Sequence, residues 1–274
     1  MKLALISDIH ANLPALQAVL DDIAVAGADR IVCLGDIVGY NTQPAECVAA
    51  LRRVDALCVA GNHDLAVCGR ITSKTFNRAA ARAVTWTQRC LGRDDLHFLA
   101  GLPLKAAIGR KLVAVHGALH PQADCATVRL DSEERRLQSF QALMADPSGA
   151  RICAFGHTHH AGIYEFRKGR AVALPEAKIS LRDDAYYLIN PGTVGEPRER
   201  DRRASYMIVD LAQRTVTVHR VGYDLSAPLA ATRRAGLAPA LSFIPMAIRT
   251  SVATGFRTLR LDRPVRQFTG LLGL

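Results

Sequence analysis

The sequence lacks the features that mark secreted, membrane-spanning and fibrous proteins. Its seven cysteines form no C-x-x-C pair, and an odd, unpatterned set indicates reduced thiols rather than a disulfide framework. No uncharged apolar run reaches the ~18 residues that a membrane span needs, and the first residues show no targeting segment. Hydrophobic residues make up 49% and charged residues 22% of the chain, which excludes disordered, collagen-like and coiled-coil proteins. We therefore expect a globular, cytoplasmic protein.

Positive charge is in excess and is unevenly spread along the chain. The 274 residues hold 35 Lys and Arg against 25 Asp and Glu, a formal net charge of +10, and residues 224–274 contain seven Arg and two Asp. We predict one domain over residues 1–223, followed by a helical, basic C-terminal extension over residues 224–274. The extension is expected to form a charged surface face. Nucleic acid, a membrane surface and a second subunit of a homo-oligomer are the alternative partners for it.

The first 64 residues alternate between buried strands and amphipathic helices. Apolar runs predict strands over residues 2–7, 30–34 and 56–60, and helical spacing predicts helices over residues 14–25 and 44–53. This alternation indicates parallel βαβ units. Farther along, helices are predicted over residues 74–91, 94–100 and 131–145. A strand-rich and largely antiparallel group is predicted at residues 111–116, 151–155, 163–166, 185–190, 205–210 and 215–221.

Short polar clusters follow these predicted strands. The first three are separated by 28 and 26 residues, about one βαβ repeat of roughly 30 residues. They should therefore lie side by side at one edge of a sheet, where α/β proteins bind ligands. The later clusters can converge there from a second sheet. The clusters are Asp8-Ile-His10, Gly35-Asp36, Gly61-Asn-His-Asp64, His116 and Gly156-His-Thr-His159.

The residue types in these clusters indicate a metal site. Two aspartates, one asparagine and four histidines offer nitrogen and oxygen ligands, without the thiolates of a structural zinc site. Seven ligands exceed the needs of one tetrahedral ion and fit two ions that share a carboxylate. Asp36 is the expected bridge, because its strand lies between the other two. The candidate ligands are Asp8, His10, Asp36, Asn62, His116, His157 and His159. We expect two divalent metal ions, with Mn²⁺ favoured and Fe, Zn, Ni and Co as alternatives.

The order and spacing of the motifs resemble a known family. Ser7-Asp-Ile-His10, Gly35-Asp-Ile-Val-Gly-Tyr40, Gly61-Asn-His-Asp64, His116-Gly117 and Gly156-His-Thr-His159 are similar to those of the calcineurin-like metallophosphoesterase superfamily. The segments Asn190-Pro-Gly-Thr-Val-Gly-Glu-Pro-Arg198 and Arg203-Ala-Ser-Tyr206 resemble its small bacterial and archaeal phosphodiesterase branch. The resemblance runs from residue 2 to about residue 241. It implies an α/β fold, a four-layer α/β/β/α sandwich of two mixed sheets flanked by helices.

The resemblance also assigns roles by matched position. One metal would take Asp8, His10, Asp36 and His159, and the other Asp36, Asn62, His116 and His157. A metal-bridging hydroxide would attack phosphorus in line. His63 would protonate the leaving alkoxide as general acid, and Asp64 would hold its imidazole and raise its pKa.

Substrate contacts and substrate class remain open at this stage. Arg198 is a candidate phosphate ligand, Tyr40 is expected to line the cleft, and Asn77 is a further candidate contact. The expected activity is hydrolysis of phosphodiesters. The alternatives are a phosphomonoesterase such as a protein phosphatase, a dinucleoside-polyphosphate hydrolase, a nuclease that uses the basic extension, and a non-catalytic metal-binding scaffold of the same fold.

Overall fold

Strands and helices alternate over the first half of the chain, and strands dominate the second. The structure is a computed structural model that describes residues 1–120 and 124–237. The strands are β1 (Lys2–Ile6), β2 (Arg30–Cys33), β3 (Leu57–Cys58), β4 (Lys105–Ile108), β5 (Leu112–Val115), β6 (Ile152–Ala154), β7 (Ala161–Arg167), β8 (Arg170–Leu174), β9 (Ile179–Ser180), β10 (Tyr186–Pro191), β11 (Ala204–Asp210) and β12 (Thr215–Val221). The helices are α1 (Leu13–Ala26), α2 (Pro44–Arg53), α3 (Asn62–Val67), α4 (Arg78–Cys90), α5 (Arg93–Gly101), α6 (Glu133–Met144) and α7 (Ser226–Arg234).

The strands form two mixed six-stranded sheets. The first has the order β3-β2-β1-β11-β12-β9 and the second β4-β5-β6-β10-β7-β8. Strands β1, β2 and β3 run parallel, as do β5, β6 and β10. The carboxyl ends of each parallel set therefore meet at one edge of its sheet.

The central strands of each sheet are buried on both faces. In β1, Leu3 and Leu5 point into an apolar cluster shared with β5, β6 and β10 of the second sheet. Ala4 and Ile6 point the other way, into a cluster with α1 and α2. This alternation explains why β1 is a continuous apolar run, since both of its faces lie in a core. Helix α6 covers the outer face of the second sheet through Phe140. The predicted four-layer sandwich of two mixed sheets is confirmed.

Three local predictions differ from the structure. The helix predicted over residues 74–91 is divided into a 3₁₀ turn, Ser73–Thr75, and α4. The division arises because Asn77 caps the N-terminus of α4. The strand predicted at residues 56–60 shortens to the two residues of β3, and the short strands β4, β8 and β9 were not predicted.

The predicted domain boundary at residue 223 stays a prediction. Helix α7 lies beyond that boundary, and the hydroxyl of Thr232 donates to Oδ1 of Asn41 at 3.2 Å. Residues 238–274, which carry five of the seven arginines of the predicted extension, lie outside the described residues. Within the part of the chain that the structure describes, the helices are too short or too polar to cross a membrane.

Candidate metal centre

The loops that carry the candidate ligands have unusual backbone geometry. Asp8, His10 and Asp36 have φ angles of 53°, 49° and 54°, and His157 and His159 have φ angles of 65° and 63°. Non-glycine residues rarely adopt this left-handed region, and such strain concentrates at functional sites. Hydrogen bonds from Asp8 N to Gly35 O (3.1 Å) and from His10 N to Asp36 O (2.9 Å) hold the first two loops together.

Two glycines allow these loops to approach closely. Gly35 has a φ of 89°, and a Cβ there would lie 2.5 Å from the backbone nitrogen of Gly61. A Cβ at Gly156 would lie 2.9 Å from Oδ2 of Asp8 and would also collide with Ser7. Any side chain at these two positions would push the loops apart, so glycine is what permits the close approach.

One set of donor atoms comes from both sheets. Nε2 of His10 lies 3.2 Å from Nε2 of His159, and Oδ1 of Asp8 lies 3.2 Å from that same His159 nitrogen. Oδ2 of Asp36 is 3.5 Å from Nε2 of His10. These four residues are the ones predicted for the first ion.

A second set of donor atoms adjoins the first. Nε2 of His116 lies 3.1 Å from Oδ1 of Asn62 and 3.2 Å from Nδ1 of His157. It is also 3.3 Å from Oδ2 of Asp36. The same carboxylate oxygen therefore faces both donor sets, and all seven predicted ligands converge.

Backbone carbonyl groups fix how three of the imidazoles present their nitrogens. Nδ1 of His10 donates to Val38 O (3.2 Å), Nδ1 of His116 to Leu34 O (2.7 Å) and Nδ1 of His159 to Glu196 O (2.6 Å). A carbonyl oxygen can only accept, so each Nδ1 carries the proton and each Nε2 of a neutral ring presents a lone pair.

These lone pairs and carboxylate oxygens need a cation. The Nε2 atoms of His10 and His159 face each other, and buried Oδ1 of Asp8 and Oδ2 of Asp36 accept no hydrogen bond from any described residue. Burial lowers the pKa of His10 and of His159 well below the usual range, which keeps both rings neutral. Uncompensated lone pairs inside a protein are costly. The donor set therefore fits divalent metal ions.

Asp36 and His116, two members of the second set, carry opposite charges. Burial opposes ionisation of Asp36, but neighbouring His116 and His63 hold the pKa of its carboxyl group well below the usual range. Burial likewise opposes the charge on His116, whereas Asp36 raises its pKa to about 9. Asp36 is therefore a carboxylate at neutral pH, as a bridging ligand must be.

His63 lies beside the ligands. Its ring centroid is 4.9 Å from that of His10, 4.7 Å from that of Tyr40 and 5.0 Å from that of Phe76. Nδ1 of His63 has no hydrogen-bond partner among the described residues. Burial lowers the pKa of His63 to about 4, so the ring is neutral at neutral pH.

The expectation that Asp64 holds the His63 imidazole is wrong. The Asp64 carboxyl group accepts from the backbone nitrogens of Ile37 (2.9 Å), Val38 (3.1 Å) and Gly61 (2.9 Å). Burial and the charge of Asp36 raise the pKa of Asp64 to about 7. The expected rise in the pKa of His63 is not seen either. Asp64 is the third residue of α3 and caps that helix, a role that its spacing from Gly61 could have indicated.

The candidate substrate residues differ in how near they lie to the ligands. Tyr40 packs its ring 4.7 Å from the ring of His10. Arg198 is half-buried, and its charge lowers the pKa of His159 and of His63. Oδ1 of Asn77 accepts from Ala80 N at 2.9 Å as the cap of α4. Substrate contact stays a prediction for all three.

Sequence reasoning missed a second arginine at this site. Arg129 lies in the loop that follows β5, and burial together with the charge of Arg198 lowers its pKa. The charges of Arg129 and Arg198 are therefore close enough to influence each other. The nearest carboxylate to Arg129 among the described residues is that of Asp131, at 3.9 Å. No sequence motif marks Arg129, because only the path of this loop brings it to the site.

Comparison with known proteins agrees with this geometry. The model of the calcineurin-like phosphoesterase superfamily domain matches residues 1–214. The chain belongs to the calcineurin-like phosphoesterase superfamily. Its relatives in the superfamily include an uncharacterized protein of Methanocaldococcus jannaschii, 37% identical over 232 residues that cover 81% of this chain and 88% of that protein. They also include phosphodiesterase YfcE of Escherichia coli, 30% identical over 128 residues that cover 44% of this chain and 70% of that protein.

Two solved structures superpose on this chain over most of its length. The crystal structure of a metallophosphoesterase from Sphaerobacter thermophilus superposes with a TM-score of 0.72 at 36% identity, covering 87% of this chain and 95% of that one. A hypothetical protein from Pyrococcus horikoshii OT3 superposes with a TM-score of 0.68 at 18% identity, covering 86% and 94%. The second likeness concerns the fold alone.

Proposed function

We propose that this calcineurin-like protein is a binuclear metal-dependent phosphoesterase that prefers phosphodiesters. The observation that carries the proposal is that one oxygen, Oδ2 of Asp36, faces two donor sets. Its distances are 3.5 Å to Nε2 of His10 and 3.3 Å to Nε2 of His116. A shared carboxylate is the feature that distinguishes a two-ion site from two separate ones.

The ligand chemistry supports Mn²⁺ as the favoured ion, with Fe, Zn, Ni or Co as alternatives. Asp8, His10 and His159 would complete one site, and Asn62, His116 and His157 the other. Divalent ions held there supply the Lewis-acid charge that binds phosphate oxygens and acidifies a water for attack on phosphorus.

His63 is the proposed general acid for the leaving oxygen. Burial keeps its ring neutral in the free protein, with a pKa of about 4. A phosphate anion beside the ring would favour its charged form and raise that pKa. His63 would then gain its proton with the substrate and pass it to the departing alkoxide. Tyr40 and Phe76 hold the ring from two sides.

Arg198 and Arg129 are the proposed phosphate ligands. Guanidinium groups pair with phosphate oxygens in a forked geometry. Among the described residues, Arg198 has no carboxylate within 4.0 Å and Arg129 has only that of Asp131, at 3.9 Å on the exposed side of the loop. Two such groups beside one metal centre would bind the non-bridging oxygens of a phosphate ester, whether diester or monoester. The preference for diesters is supported by the name of the relative YfcE, a phosphodiesterase.

A cytoplasmic location is proposed from the cysteines. All seven lie within the described residues and all are free, including Cys33 and Cys58, which are partners on adjacent strands. Binding of nucleic acid or of a second copy of the chain through residues 224–274 remains a prediction.

The test compares bis-(p-nitrophenyl) phosphate with p-nitrophenyl phosphate, using metal-stripped protein to which Mn²⁺ is restored. We expect faster hydrolysis of the diester, two bound ions per chain by elemental analysis, and loss of both ions and activity in Asp36→Asn. A faster monoester rate would move the assignment to a phosphomonoesterase. Two bound ions with neither ester hydrolysed would favour the non-catalytic scaffold. Two ions in an active Asp36→Asn protein would refute the shared-ligand arrangement.

A further inference from the structure

A basic cleft lies at the end of the sandwich opposite the metal centre. Its volume is about 430 Å³, within the range of roughly 300–1,000 Å³ that is typical of small-molecule sites. Its walls are the turns before β5 and β6, the segment between β9 and β10, and the turn between β11 and β12. The metal ligands follow the other ends of β5 and β6. Arg151 lines the cleft, and Gly156 directly precedes the metal ligand His157. The five residue steps between them span about 16 Å of extended chain, so the two sites are distinct.

Charge in the cleft is strongly one-sided. Five cationic side chains line it against one carboxylate, that of Asp183. Asp183 forms an ion pair with Arg214, and Glu165 approaches Arg182 at 3.9 Å from outside the lining. Within residues 1–120 and 124–237, no carboxylate lies within 4.0 Å of the remaining three cations. The five cations are Arg110, Lys111, Arg151, Arg182 and Arg214.

The cleft is also held in place. Leu181 N donates to Arg214 O at 2.7 Å, and the Arg214 guanidinium donates back to Leu181 O at 3.0 Å. The Tyr187 hydroxyl accepts from Arg182 N at 2.8 Å. The Arg151 guanidinium lies 4.8 Å from the ring centroid of Tyr186. The guanidinium groups of Arg214 and Arg151 are thereby held, and cations already held lose less entropy when they bind an anion.

The floor of the cleft is apolar. Ile152, Ala185 and Tyr187 are buried there, and Leu181 and Leu211 are half-buried. A site with guanidinium groups around an apolar floor suits a ligand that combines several phosphate oxygens with a ring. Bare repulsion among five cations, with no ligand, would be an unfavourable arrangement to hold rigidly.

We propose that this cleft is a second, non-catalytic site for a small ligand that carries several phosphate groups, such as a nucleoside triphosphate. The volume of about 430 Å³ is that of a small-molecule site, which favours a small molecule over a polymer. The site is independent of the metal centre and of the proposed hydrolytic activity.

The test is isothermal titration of the full-length protein with tripolyphosphate and with adenosine 5′-(β,γ-imido)triphosphate, which resists hydrolysis. Arg110→Glu/Arg151→Glu should weaken the binding of both probes at least about 10-fold, because it reverses two of the cationic contacts. The matched control is Arg89→Glu/Arg93→Glu, an equal charge change at two exposed positions on α4 and α5. We expect less than a 2-fold change there, and none in Asp36→Asn.

Each outcome decides the proposal. Equal affinity for the two probes would support it and assign recognition to the phosphates, whereas tighter binding of the nucleotide would support it and add the ring on the apolar floor. Absence of binding at low salt would overturn it, as would equal weakening in the control pair or loss of binding in Asp36→Asn. Binding of single-stranded DNA without binding of tripolyphosphate would also overturn it, in favour of a nucleic-acid surface.

Discussion

Replacement of Asn190 by alanine tests how the histidine loop is held in the metal centre. Asn190 is 1% exposed, and its amide group donates to Gly156 O at 2.8 Å and to the hydroxyl oxygen of Thr158 at 3.0 Å. Its Oδ1 accepts from Gly192 N at 2.9 Å. The side chain therefore ties the end of β10 to the loop that carries His157 and His159.

The magnitude follows from what Asn190→Ala would leave behind. Gly192 N would lose its partner inside the protein, which costs about 1–3 kcal/mol. Gly156 O keeps a hydrogen bond from Thr158 N at 2.7 Å, and the Thr158 hydroxyl oxygen keeps one from His160 N at 3.4 Å. Each of these two groups therefore loses only a net hydrogen bond, about 0.5–1.5 kcal/mol. We expect the free energy of unfolding to fall by about 2–6 kcal/mol in all.

Urea unfolding in the presence of a chelator measures this loss without any contribution from bound metal. Mn²⁺ titration of the folded variant then measures the second effect, and we expect affinity to fall about 10–100-fold, as for other residues that support metal ligands. Ser139→Ala is the matched control, because its buried hydroxyl has no hydrogen-bond partner among the described residues. That variant should lose neither stability nor Mn²⁺ affinity. A chelated Asn190→Ala protein as stable as the wild type, or a destabilised one that binds Mn²⁺ equally well, would refute the reasoning.

Other changes probe the remaining roles. Thr87→Val removes a buried hydroxyl that lacks a partner in the described part of the chain, so urea unfolding should show a gain of about 0.5–1 kcal/mol; a clear loss would mean that the hydroxyl is bonded. His63→Ala should retain its metals by elemental analysis but slow turnover ~10²–10⁴-fold on poor leaving groups; equal slowing on good leaving groups would argue against the acid role. Arg198→Ala and Arg129→Ala should each raise KM for the diester about 10-fold, as the loss of one charge-assisted hydrogen bond implies, and unchanged KM values would remove both residues from the substrate site. Mn²⁺ at 100 times its dissociation constant should raise the free energy of unfolding by about 2.7 kcal/mol for each occupied site; the same rise in Asp36→Asn would place the ions elsewhere.

Much of the first sheet could be predicted because its signals are local. Apolar runs and helical spacing are properties of short segments, and β1, β2, α1 and α2 lie close to their predicted positions. The short strands β4, β8 and β9 carry no comparable signal, since they are mostly half-exposed. The helix predicted over residues 74–91 was too long because the capping of α4 by Asn77 was not recognised.

The role of Asp64 was mispredicted for a related reason. Its expected contact with the His63 imidazole was taken from the resemblance by matched position. In a helix, adjacent side chains do not face each other. The Asp64 carboxyl group turns back to cap α3 and to hold the nitrogens of Ile37 and Val38.

The sequence by itself determined which side chains could form the metal centre, and it also determined that they follow the ends of strands. Ligand chemistry and strand periodicity are both properties of short segments. Only the tertiary structure decided how they meet. His159 and His10 are 149 positions apart in the sequence, and they meet because the two sheets pack face to face through the core that Leu3 and Leu5 share with the second sheet. The proximity of Arg129 to Arg198 and the assembly of the basic cleft depend on the same long-range packing. Neither feature can be predicted from a local sequence pattern, because its residues lie in separate segments that are close together only in the folded chain.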